Sequence, residues 1–189
     1  MGARSILALE MCLHFDPSVQ SYLQGLVRSC GEKMSLQDKW AAYDQAARCL
    51  MGSRHLWARG CWDFFDDDTR ARSDFNMWVH GMTSLEGART QPSGTGDPYR
   101  GGARFMTFTM AVLLVTGSAS ERSLAHVCDI AEPYLWHAAT FERILQGLRY
   151  LNFASVEGST VYLIPRDPDY ALTQEDLGHP KFEYLRPIV

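Results

Sequence analysis

The run from Arg104 to Thr116 constrains this chain more than any other segment, because apolar residues occupy both of its faces. A strand of that composition must be covered above and below, so it belongs in the middle of a sheet. Its apolar core, Phe105 to Val115, is interrupted by Thr107 and Thr109 and falls far short of the ~20 residues needed to span a bilayer. No direct membrane insertion is expected.

A second strand opens the chain. Leu7, Leu9, Met11, Leu13 and Phe15 fall on one face of a period-two pattern, and Ile6, Ala8, Glu10, Cys12 and His14 fall on the other. The stretch is short, is broken by Glu10 and lacks a small-residue cleavage site, so it reads as a strand instead of a signal peptide. Asp16-Pro17-Ser18 then supplies a cap and a first-turn proline. Val19, Tyr22, Leu23, Leu26 and Val27 follow at helical spacing up to Gly31. Ser35 with Asp38 resembles a capping box, and Leu36, Trp40, Tyr43, Ala47 and Leu50 mark a second helix that Gly52-Ser53 ends. The aromatic and acidic stretch from His55 to Asp68 fits neither period. From Asp74 to Leu85, Phe75, Met77 and Val79 alternate as in a strand, although Phe75, Trp78, Val79 and Met82 also fit a helical face. We read it as the strand that closes the first half.

Thr90 to Gly102 is rich in Gly and Pro and poor in apolar residues, as a loop would be. Beyond it, Leu124, Val127, Cys128 and Ala131 mark a short helix, and Phe141, Ile144, Leu145, Leu148 and Leu151 mark another. Thr160 to Ile164 is a β-branched strand ending at Pro165, and Thr173 caps a short helix through Leu177. The two halves, 1–90 and 103–189, thus share the order strand, helix, helix, strand without a residue-level repeat. The expectation is one α+β domain, a mixed or antiparallel sheet packed against helices. At 189 residues and 46% hydrophobic, the chain is large and apolar enough to bury one core.

The C-terminal half resembles domain-of-unknown-function family fifteen-seventeen, found in cyanobacteria, chloroplasts and other bacteria. The resemblance rests on the strand Phe108 to Val115, the helical segment ending at Leu148, the strand Val161-Tyr162-Leu163-Ile164-Pro165-Arg166, and the acidic turn from Asp169 through Leu172 to Leu177. The N-terminal strand and helix pair, ending near Trp57, is similar more loosely. The resemblance brings no catalytic residues. It implies association with photosynthetic membranes through an upstream membrane segment, which is not part of this sequence.

The net charge of −4 and a pI near 5.8, with basic residues scattered, point away from nucleic acid, whose phosphates draw on clustered Lys and Arg. Five cysteines, widely spaced and never in a CxxC pair, indicate reduced thiols and a cytoplasmic location. Cys12 and His14 lie two apart on a strand and so share a side from which both could reach a metal. Asp66, Asp67 and Asp68, with Asp63, offer carboxylate oxygens to a hard cation, but the glycine and the twelfth-position glutamate of an EF-hand are missing. No GxSxG signature or phosphate-loop lysine is present. Neither a cofactor nor a firm metal site is expected. The aromatic cluster Trp57, Trp62, Phe64 and Phe65 is either core or an anchor patch for another protein. The expected function is therefore a noncatalytic protein-interaction or regulatory module, binding a protein partner or itself. A metal-dependent or thiol enzyme is the alternative, and a membrane-associated adaptor recruited by a partner is the reading that the family resemblance adds.

Overall fold

The computed structural model describes residues 3–31, 33–83, 102–166 and 170–189. Six strands, β1 (Arg4–His14), β2 (Trp57–Phe65), β3 (Arg104–Val115), β4 (Val156–Ile164), β5 (Leu172–Thr173) and β6 (Arg186–Pro187), form one antiparallel sheet in the order β4-β3-β1-β2-β6. The short β5 pairs with the start of β3. β1 and β3 pair along their whole length, from Arg4 opposite Val115 to His14 opposite Phe105. Both are central and covered on each side, which is why apolar residues fill both of their faces. The protein is thus an α+β fold.

Four helices cover the front of the sheet: α1 (Pro17–Ser29), α2 (Leu36–Gly52) and, after the back-face helix α3 (Asp68–Thr83), α4 (Ala119–Cys128) and α5 (Ala138–Arg149). The caps read from the sequence are made. Asp16 accepts from the amides of Ser18 and Val19, and Ser35 from that of Asp38. Leu23 of α1, Leu50 of α2, Leu124 of α4 and Ile144 of α5 all pack onto the front residues of β1 and β3, such as Leu9 and Met110, in the main core. Asp44 of α2 clamps this layer, because it accepts from Arg149 Nε of α5 at 2.7 Å and from Arg48 Nε at 2.8 Å. Partial desolvation opposes ionisation of Asp44, but the two guanidinium bonds outweigh it and hold its carboxyl below the usual range. No described helix is long and apolar enough to cross a membrane.

The back of the sheet carries two smaller clusters in place of one core. At one end, Ala71, Phe75 and Trp78 of α3 pack on Ile6, Leu113 and Phe65. At the other, Leu172, Leu177, Phe182 and Leu185 of the C-terminal segment pack on Cys12 and Phe105. Glu157 of β4, bonded to Arg4 of β1 and to Arg72 of α3, ties the first end together.

Two sequence expectations change here. Within Asp74 to Leu85 the chain is helical as far as Thr83, not a strand. A strand would have pointed Phe75, Met77 and Val79 one way, yet Met77 is 61% exposed while Ala71, Phe75 and Trp78, at steps of four and three, face the sheet. The helix starts upstream, where Asp67 accepts from the amide of Arg70 and Asp68 pairs with Arg72 one turn on. The strand that follows the first helix pair is instead β2, in the stretch that fitted neither period. The Thr90 to Gly102 loop lies outside the described residues except for Gly102, as do Ser84 and Leu85.

Close approach fixes Gly60, on the front of β2. A Cβ there would lie 2.4 Å from the Phe141 ring of α5, whereas a Cβ at Gly25, on the exposed side of α1, meets nothing within 4 Å. Gly60→Ala is expected to destabilise the protein by about 1–3 kcal/mol, and Gly25→Ala to stabilise it by up to ~1 kcal/mol. Urea unfolding of the two variants measures both.

Candidate functional site

Between the two back-face clusters the sheet carries a row of polar side chains. Cys61 on β2 stands opposite Glu10 on β1, Glu10 opposite Thr109 on β3, and Thr109 opposite Tyr162 on β4. All four therefore share the back face, and Thr107 lies two residues from Thr109 on the same side. Above the row is a cleft of about 460 Å³. Met77, Trp78 and Asp74 of α3 wall one side, and Lys181, Phe182 and Tyr184 of the C-terminal segment wall the other.

Glu10 is the centre of this site. It is 2% exposed, and its Oε2 accepts from the Tyr184 hydroxyl at 2.7 Å. Its Oε1 is buried without a hydrogen-bond partner among the described residues, as are Thr107 Oγ1 and the Tyr162 hydroxyl. Buried polar atoms are almost always paired, and leaving one unpaired costs about 1–3 kcal/mol. Burial pushes the Glu10 carboxyl above its ordinary range, and the Tyr184 hydrogen bond recovers only part of that shift. The neighbouring thiols follow. Burial first, then the Glu10 charge, raises Cys12 to about 12 and Cys61 to about 11. At the mouth, Arg70 reaches Asp74 at 3.5 Å and Asp63 at 4.0 Å.

The structure separates the residues that the sequence put forward. Cys12 is buried in the C-terminal cluster, while His14 is exposed at the strand end with its ring tilted on Phe105. Asp66 and Asp67 are exposed, and Asp67 and Asp68 serve the first turn of α3, where carboxylates favour the helix dipole. Among the described residues, no group of three or more His, Cys, Asp or Glu converges as metal ligands would. Trp57 and Trp62 donate their indole N–H groups to the carbonyls of Leu50 and Leu135, each at 2.9 Å, and pack with Phe64 on the main core. Phe65 is on the back face, under the Arg70 guanidinium at 4.4 Å from its ring centroid. The four aromatic rings are partly buried on opposite faces of β2 and form no single patch.

Glu10 was not among those candidates. Its signal lay in the two strand patterns: it is the one acid inside a strand otherwise apolar on both faces, and Thr107 and Thr109 are the interruptions of the other. Only the register brings these breaks together. No protein-family model, curated protein or solved structure matches the chain.

The raised carboxyl sets a pH dependence. Folded protein holds the Glu10 proton to higher pH than unfolded chain does, so stability falls as pH rises from the unfolded carboxylate value to the folded one, and is level above it. Glu10→Gln removes that loss. It is expected to raise stability by about 1–3 kcal/mol at mildly alkaline pH, with the gap closing towards the acid side, as read by thermal unfolding across a pH series.

Proposed function

We propose that this chain is a noncatalytic regulatory module that takes a small, ring-bearing molecule into the back-face cleft and acts through contact with a protein partner or a second copy of itself. The observation that carries this reading is Glu10, buried at the floor of an otherwise apolar and aromatic cleft with one oxygen unpaired. The fold alone has no use for a carboxyl there, since an apolar side chain in the middle of β1 would join the two back-face clusters and avoid the desolvation cost. The cleft has the size of a small-ligand site, for which ~300–1,000 Å³ is usual, and the usual make-up of apolar walls with a few convergent polar groups.

Acid-base and thiol chemistry find less support. A thiol nucleophile needs a depressed pKa, and the two thiols beside Glu10 are raised. None of the residues that line the cleft is a histidine, so Glu10 has no described imidazole with which to share a proton.

Calorimetric titration with a panel of neutral ring compounds, naphthylmethanol among them, tests the reading. Saturable one-to-one binding is expected, weakened about tenfold or more in Cys61→Phe, whose ring would occupy the cleft floor, and in Trp78→Ala, which removes one wall. Undiminished binding by both folded variants, or no binding of any panel member to the native protein, would overturn it.

A further inference from the structure

The proposal here deepens the reading of the cleft as a ligand site and rests on it. We propose that its ligand is an organic cation, a ring-bearing ammonium whose N–H donates to Oε1 of Glu10 while its apolar body lies against Trp78, Phe182 and Tyr184.

The hydrogen-bond inventory points this way first. Oε2 of Glu10 is already served by Tyr184, and the free position, Oε1, calls for a donor. An ammonium supplies that donor together with the charge that makes burial of a carboxylate tolerable. The surrounding charges agree. Asp63 and Asp74 line the cleft with Glu10, against one ammonium, that of Lys181, whose Nζ lies 5.0 Å from the centroid of the Phe182 ring and whose residue is exposed to solvent. An anionic ligand would meet three carboxyl groups. The walls suit a cation as well, because Trp and Tyr faces carry negative quadrupole charge and attract ammonium groups within about 6 Å.

Binding is then coupled to a proton. Among the described residues, the titratable and charged groups packed around Glu10 are Cys12 on its own strand, Arg59, Cys61 and Asp63 on β2, Tyr162 on β4, Asp74 with Arg70 on α3, and Lys181, Tyr184 and Arg186 on the C-terminal segment. Cys12, Cys61, Tyr162 and Tyr184 hold their protons more firmly than usual. Glu10 is therefore the group whose charge can change near neutrality. The free cleft favours its neutral form, and an arriving ammonium favours the carboxylate, so the proton leaves to solvent as the cation enters.

The test compares naphthylmethylamine with naphthylmethanol on the full chain by calorimetry between about pH 5 and about pH 8. The amine is expected to bind about tenfold or more tightly than the alcohol, and to tighten by up to about tenfold per pH unit until Glu10 is ionised in the free protein. In two buffers of different ionisation enthalpy, amine binding at the acid end releases close to one proton and alcohol binding releases none. Glu10→Gln, the same in shape, is expected to fold, to bind the two compounds alike and to lose the pH dependence. Alcohol binding as tight as amine binding overturns the cation and leaves the ligand site standing. So does amine binding that releases no proton at any pH, or an amine preference that survives in the folded Glu10→Gln protein. Failure of both compounds, and of the rest of the neutral panel, overturns the site and the cation together.

Discussion

The full-length antiparallel pairing of β1 with β3 is the constraint on which the rest of the structure depends. Eleven consecutive residue pairs, from Arg4 opposite Val115 to His14 opposite Phe105, set one register, and a slip of one residue would exchange the two faces of both strands. In the observed register Leu7, Leu9, Met11 and Leu13 join the front residues of β3 under the four front helices. The same register puts Glu10 beside Thr109. The main core and the polar row are opposite faces of one ladder, so the hydrophobic burial that fixes the fold also places the carboxyl.

The two faces are stabilised in different ways. On the front, one continuous core receives side chains from α1, α2, α4 and α5, and the Asp44 clamp and the fit of Phe141 over Gly60 lock the helices to each other and to the sheet. On the back, α3 and the C-terminal segment each cover only one end. The gap between them is the cleft, and its floor is the one part of the central strands where unpaired polar atoms collect. Uncompensated burial of this kind lowers stability by amounts that are large beside the ~5–15 kcal/mol of a typical domain. Such a departure from local rules is expected at a functional site, where the missing partner comes from outside.

Most of the fold was legible because it obeys strong local rules. Asp16-Pro17 and Ser35 begin helices where their capping chemistry predicts, and the apolar stripe of α5 and the doubly covered character of β3 follow directly from residue spacing. The exceptions have physical causes. β2 escaped notice because Gly60, Cys61 and Asp63 occupy positions where exposed or apolar strand residues would have shown the alternation, and each is there for a tertiary reason: room for Phe141 at Gly60, and the cleft at the other two. In α3 the alternation of Phe75, Met77 and Val79 competed with the helical spacing of Ala71, Phe75 and Trp78. The exposed Met77 decides between them only when the sheet is in view.

The candidate site was less legible than the fold because its members are spread along the chain, with Tyr184 174 positions from the glutamate to which it bonds. No spacing rule joins residues that only strand register and a returning C-terminal segment bring together. The residues that attract the eye locally have local roles instead: the acidic run opens α3, and the tryptophans hold β2 to the front layer through the Leu50 and Leu135 carbonyls. What distinguishes Glu10 is the cost of its position. An exposed acidic cluster is solvated at no expense, whereas a carboxyl at 2% exposure with one oxygen unpaired is held there by the packing around it. Of all the charged groups in the described chain, it is the one whose surroundings are incomplete without a further donor, and this makes the cleft above it the place to look for a ligand.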